Sequence, residues 1–120
     1  MLNIGIYGYG NLGKGVEAAV SLNDDTKLVG VFTRRDPESV RIATDGVGVY
    51  RTSDLDRFKN EIDVLIICGG SATDLPEMTP ALAKDFNVID SFDTHAKIPE
   101  HFDNVDAAAK AGDKIAMISG

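Results

Sequence analysis

Gly8-Tyr9-Gly10-Asn11-Leu12-Gly13 spells G-x-G-x-x-G. The apolar run Ile4-Gly5-Ile6-Tyr7 precedes it, and Leu12, Val16, Ala19 and Val20 follow at the spacing of one helix face. Between a strand and a helix, the pattern has a physical use. The first glycine permits a tight turn, the second lets the backbone approach a pyrophosphate, and the third lets helix and strand pack closely. The helix start then offers unpaired N–H groups and a partial positive charge to phosphate oxygens. The bland alternative is a glycine-rich turn that holds no ligand.

The second strand of such a unit often ends in an acid, about 20 residues past the glycines, that bonds a ribose 2′-hydroxyl. Here that place reads Thr33-Arg34-Arg35. An acid would repel a 2′-phosphate, whereas a hydroxyl and two guanidiniums would bind it, with bidentate geometry open to arginine. The expected cofactor is therefore NADP rather than NAD. A solvated basic turn, with Asp36 offsetting part of the pair, is the competing explanation.

Ligands on such sheets lie beyond the carboxyl ends of the strands, so the residues that follow later strands matter. Val64-Leu65-Ile66-Ile67 is followed by Cys68-Gly69-Gly70-Ser71-Ala72-Thr73-Asp74. Its glycines allow close approach and its hydroxyls can bond ribose or an amide. Cys68 reads better as a small buried hydrophobe than as a reactive thiol, and Asp74 as a helix N-cap. Asn87-Val88-Ile89 is followed by Asp90-Ser91-Phe92-Asp93-Thr94-His95. Asp93 could bind a substrate ammonium or act as a base, and His95 could transfer a proton; a capped loop and a surface histidine are the plain alternatives. His101 falls on the polar side of the last helix and reads as solvated. No metal site is expected.

The elements that must position these residues alternate along the chain. Strands are expected at 4–7, 28–32, 47–50, 64–67, 87–89 and 115–118. Ser53 reads as the cap of a short helix turning Leu55 and Phe58 inward. Leu75, Met78 and Leu82 mark the buried face of the next helix, and Ile98, Phe102 and Val105 that of the last, which Gly112 ends. Alternating strand and helix implies a parallel sheet with right-handed crossovers. The expected class is α/β: a Rossmann-type doubly wound parallel sheet of about six strands with helices on both faces. Residues 1–120 are expected to form one dinucleotide-binding domain.

Composition narrows the partners. Net charge is −7, and an acidic surface disfavours nucleic acid and anionic membranes. No basic, then apolar, leader opens the sequence, and the longest apolar run is far too short to span a bilayer. Cys68 is the single cysteine, which excludes an internal disulfide and fits a reducing compartment. A cytoplasmic location is the expectation.

Four segments together carry a family resemblance: Tyr7-Gly8-Tyr9-Gly10-Asn11-Leu12-Gly13, Thr33-Arg34-Arg35, Cys68-Gly69-Gly70-Ser71-Ala72-Thr73-Asp74-Leu75-Pro76-Glu77 and Asp90-Ser91-Phe92-Asp93-Thr94-His95. From residue 3 to residue 120 the chain resembles the meso-diaminopimelate dehydrogenases. The glycine loop is widespread, but the Ser-Ala-Thr-Asp and Asp-Ser-Phe-Asp blocks are specific to that family. The resemblance implies an NADP-dependent oxidoreductase of diaminopimelate and lysine metabolism. Hydride leaves the D-configured α-carbon of meso-2,6-diaminopimelate for the nicotinamide, the imine is hydrolysed to a keto acid and ammonia, and the reverse is a reductive amination. It implies that Tyr9 to Leu12 hold the pyrophosphate and Thr33 to Arg35 the 2′-phosphate. Cys68, Gly69, Gly70, Ser71, Ser91, Phe92 and Asp93 would line the rest of the cofactor, with Ser119 and Gly120 at the end of the last strand. Asp93 would also face the substrate's D-amino group; no catalytic role is carried onto His95.

Family members continue past the position of Gly120 with Trp-Asp-Pro-Gly and then a substrate-binding and dimerisation domain. These 120 residues are therefore expected to supply the cofactor half of a homodimeric enzyme, and to bind cofactor without turnover when alone, since hydride transfer needs water excluded and substrate oriented. Two other readings stay open. Dihydrodipicolinate reductases and sugar-oxidising dehydrogenases share the glycine loop, although the sugar group's Glu-Lys-Pro is replaced here by Ser91-Phe92-Asp93. An NADP-binding sensor or regulatory module without chemistry is the other.

Overall fold

The computed structural model describes residues 1–68, 75–91 and 98–118. The chain divides into two compact units, Met1–Cys68 and Gly69–Gly120.

In the first unit, β1 (Leu2–Tyr7) leads into α1 (Asn11–Leu22), β2 (Thr26–Thr33), β3 (Val49–Arg51), a 3-10 helix (Thr52–Phe58) and β4 (Val64–Ile67). The strand order is β3-β2-β1-β4 and every pairing is parallel. The apolar runs become strands because both faces are covered: Ile6, Val31, Phe32, Leu65 and Ile67 are wholly buried. Phe32 also anchors an aromatic cluster, stacked 5.7 Å from Tyr50 and edge-on 5.2 Å from Phe58. These contacts hold the 3-10 helix, which is the short helix expected here, although it starts at Thr52 and no Ser53 side chain caps it. The third strand starts later than expected, at Val49 rather than Val47.

The inward face of α1 also differs. Gly13, Glu17 and Val20 are buried, whereas Leu12 is 48% exposed and Ala19 lies outside. The rotation has a cause. Gly13 must face the backbone of Gly8, and a buried carboxylate at Glu17 is tolerated because it is fully hydrogen-bonded.

The second unit contains α2 (Leu75–Ala83), β5 (Val88–Asp90), α3 (Ile98–Ala111) and β6 (Ala116–Ile118), with β5 and β6 parallel. Leu75, Thr79 and Ala83 form the buried face of α2, in place of the expected Leu75, Met78 and Leu82. On α3 the buried residues are His101, Val105, Ala108 and Ala109, while Phe102 is 53% exposed. His101 is thus a core residue and not the solvated one expected: its Nε2 lies 2.6 Å from Asp90 Oδ2, a contact that turns it inward. Past Gly112 the chain is turned by Asp113, which adopts φ 56°. α3 ends at Ala111, directly before Gly112 as expected, and Gly112 also packs closely, since a Cβ there would stand 1.8 Å from the Lys84 carbonyl.

Across the described residues the six strands alternate with helices and pair in parallel, the α/β pattern expected from the sequence. No helix among them is long and apolar enough to cross a membrane.

Candidate cofactor-binding site

The glycine loop joins β1 to α1 in the first unit. Gly8 adopts φ +96°, and a Cβ there would lie 2.6 Å from the Cys68 carbonyl, so both sterics and space demand glycine. A Cβ on Gly13 would lie 2.6 Å from the Gly8 carbonyl, so the third glycine lets α1 sit against the end of β1. Gly10 is different: among the described residues, nothing lies within 4 Å of its would-be Cβ. Its backbone, at φ −104° and ψ −151°, is open to any residue. Among the described residues, neither strain nor packing therefore calls for glycine at this position.

The helix start points the same way. Gly10 is the N-cap of α1 and no side chain caps it, nor does the first turn carry an acid. Among the described residues nothing neutralises the leading amides or the positive end of the helix dipole, the arrangement that receives phosphate oxygens. Lys14, in the same turn, adds a cation.

The end of β2 comes to the same loop. Gly8 N donates to the Phe32 carbonyl at 2.8 Å, so the first glycine rides on the end of that strand. Thr33 is 3% exposed and its Oγ1 accepts from Arg35 N at 3.0 Å, which fixes the turn. Arg34 and Arg35 are both exposed beyond it, and Arg35 Nη2 donates to the Tyr9 carbonyl at 2.6 Å. Asp36, expected to offset the arginines, accepts from Glu38 N at 3.1 Å and stands 3.9 Å from Arg51 Nη2.

Tyr9 is held at its other end as well. Its hydroxyl donates to Glu17 Oε1 at 2.5 Å. Burial pushes its pKa up to about 12, with the bond to Glu17 and that carboxylate's charge adding to the rise. Burial alone would raise the Glu17 carboxyl, but hydrogen bonds from Thr44, from Tyr9 and from the Ala43 and Thr44 amides outweigh it and hold the pKa below the ordinary value. Cys68 follows β4, with its N–H on the Tyr7 carbonyl at 2.8 Å. Burial raises its thiol pKa to about 11, which makes it unreactive at neutral pH.

The first unit therefore brings together Gly8, Tyr9, Gly10, Asn11, Leu12, Gly13, Thr33, Arg34, Arg35 and Cys68 from three separate stretches of sequence. In the second unit Ser91 is half-buried directly after β5. Gly69, Gly70, Ser71, Asp74, Phe92, Asp93, His95, Ser119 and Gly120 lie outside the described residues. Sequence reasoning missed Glu17, whose only local signal is a charge set among Gly13, Val16 and Val20 on an otherwise inward-facing stripe.

No protein-family model matches the chain. Individual relatives do. The chain is 59% identical over 118 residues to a meso-diaminopimelate D-dehydrogenase of Lysinibacillus sphaericus, covering 98% of this chain and 36% of that protein. Among solved structures, a meso-DAPDH mutant with DAP from Clostridium tetani superposes with a TM-score of 0.89 at 46% identity, over 100% of this chain and 36% of the other. An engineered D-amino acid dehydrogenase bound to NADP+ also gives 0.89, at 37% identity, over 99% of this chain and 36% of that one. The resemblance read from the motifs is borne out across nearly the whole chain, and the architecture is that of the corresponding Rossmann-type portion of these enzymes. The chain spans about a third of the length of the relatives it matches.

Proposed function

We propose that this chain is the NADP-binding portion of a meso-2,6-diaminopimelate D-dehydrogenase. The observation that carries the reading is the division of labour in the glycine loop. Gly8 and Gly13 are demanded by backbone contacts at 2.6 Å, whereas no described residue comes within 4 Å of a Cβ on Gly10, at a helix start without a side-chain cap. That glycine and the uncapped amides fit a pyrophosphate, and Arg34 and Arg35 at the end of β2 fit a 2′-phosphate.

In this reading the amides at the start of α1 bind the pyrophosphate, with Tyr9 to Leu12 shaping its cradle. Arg34 and Arg35 bind the 2′-phosphate through charge-assisted N–H donors. NADP, when bound, supplies the hydride acceptor, or the donor in the reverse direction. Cys68, Gly69, Gly70, Ser71, Ser91, Phe92, Ser119 and Gly120 line the rest of the cofactor, and Asp93 holds the substrate's D-amino group beside it. Oxidative deamination then converts one amino-acid centre, with water, to a keto acid and ammonium. Substrate recognition and assembly as a homodimer belong to the longer protein, as does its place in cytoplasmic lysine and diaminopimelate metabolism.

Calorimetric titration with NADP+ and NAD+ tests the cofactor assignment. A preference for NADP+ of at least tenfold, about 1.4 kcal/mol, is expected. Equal affinities would remove the arginines from the 2′-phosphate. Reduction of NADP+ by the full-length protein on addition of meso-2,6-diaminopimelate tests the substrate.

A further inference from the structure

Glu17 is an unusual residue to find inside α1. It is 3% exposed, and an isolated carboxylate in such a place would be costly. Its two oxygens accept from the Tyr9 hydroxyl at 2.5 Å, the Thr44 hydroxyl at 2.6 Å, Thr44 N at 2.9 Å and Ala43 N at 3.0 Å. These donors come from two separate places: the glycine loop, and the segment between β2 and β3. One carboxylate thereby ties the two together.

The tie continues to the cofactor side. Tyr9, bonded to Glu17 through its ring hydroxyl, accepts Arg35 Nη2 on its main-chain carbonyl at 2.6 Å. That bond uses one of the five N–H groups a guanidinium carries, and the other donors of the fork can meet phosphate oxygens. Tyr9 is thus gripped at both ends, its hydroxyl by Glu17 and its carbonyl by Arg35. Bidentate recognition by arginine depends on such pre-set geometry.

We propose that Glu17 is a positioning residue for NADP selectivity: through Tyr9 it fixes Arg35 at the distance from the phosphate cradle that a 2′-phosphate requires. This rests on the NADP-binding reading above. A merely structural role, in which Glu17 only secures residues 43–44, predicts a loss of stability with no change in the choice between cofactors.

The test is titration of the purified protein and of Glu17→Gln and Tyr9→Phe with NADP+, NAD+ and 2′,5′-ADP, with thermal unfolding in parallel. Tyr9→Phe keeps the ring and leaves the amide bonds of Glu17 in place, so it decides the matter if Glu17→Gln does not fold. The expected result is a fall of at least fivefold in affinity for NADP+ and 2′,5′-ADP, with NAD+ changed less than twofold. A wild-type preference that survives intact in Tyr9→Phe would overturn the positioning role and leave the NADP reading standing. A wild-type protein with no preference would overturn both.

Discussion

His101 Nε2 lies 2.6 Å from Asp90 Oδ2, joining the first turn of α3 to the last residue of β5. Both side chains are almost wholly buried. The pair fixes where the chain leaves β5, just ahead of Ser91, and it turns α3 so that Phe102 rather than His101 meets solvent.

Removing one partner takes a short, buried hydrogen bond from the other. His101→Ala is expected to lower stability by roughly 1–3 kcal/mol, the cost of losing such a bond. Urea unfolding of the variant against wild type measures it. A loss under about 1 kcal/mol, the size of an exposed pair, would mean the contact contributes little.

The glycine loop should answer differently at its separate positions. Gly8→Ala places a Cβ against the Cys68 carbonyl at a positive φ, so the variant should unfold at a clearly lower temperature. Gly10→Ala meets no atom of the described residues within 4 Å and should melt within a degree or two of wild type. Its added methyl should nonetheless weaken NADP+ binding at least tenfold. Thermal melts beside calorimetric titration separate the two. A Gly10→Ala variant that binds as wild type would place the pyrophosphate elsewhere.

The Tyr9–Glu17 bond gives stability a pH signature. Tyr9 titrates at an ordinary 10.0 when unfolded but at about 12 when folded. Below pH 10 both states keep the proton. Between about 10 and 12 only the folded state does, so stability falls as pH rises. Glu17 acts in the opposite sense. Its folded value is held below the ordinary 4.5, so its contribution is present above that pH and is lost as pH falls through the folded value. Urea midpoints across pH for wild type and Tyr9→Phe isolate the alkaline component. An identical alkaline loss in both proteins would show that Tyr9 does not carry it.

Much of this was legible in the residues themselves. The glycine loop could be read because its three glycines, the preceding apolar run and the following helix are all local in sequence. The arginines could be read because the end of β2 falls at a fixed distance from that loop. The helix faces could not be read in the same way. Hydropathy turns Glu17 and His101 outward and Leu12 and Phe102 inward, and the structure does the reverse. The partners that make burial of Glu17 tolerable, Tyr9, Ala43 and Thr44, stand 8, 26 and 27 residues away. Asp90, the partner of His101, lies 11 residues before it in a different element. Periodicity records which residues are apolar, not which polar residues will find each other. The late start of β3 has the same origin: its register, Val31 against Val49, is set by pairing with β2 and not by its own apolar run.

The most direct test is a crystal structure of the protein with NADP+. Pyrophosphate oxygens are predicted within about 3.2 Å of the main-chain amides at the start of α1, with 2′-phosphate oxygens at similar distance from the guanidiniums of Arg34 or Arg35. A cofactor bound away from Gly10, or a 2′-phosphate met by neither arginine, would contradict the account.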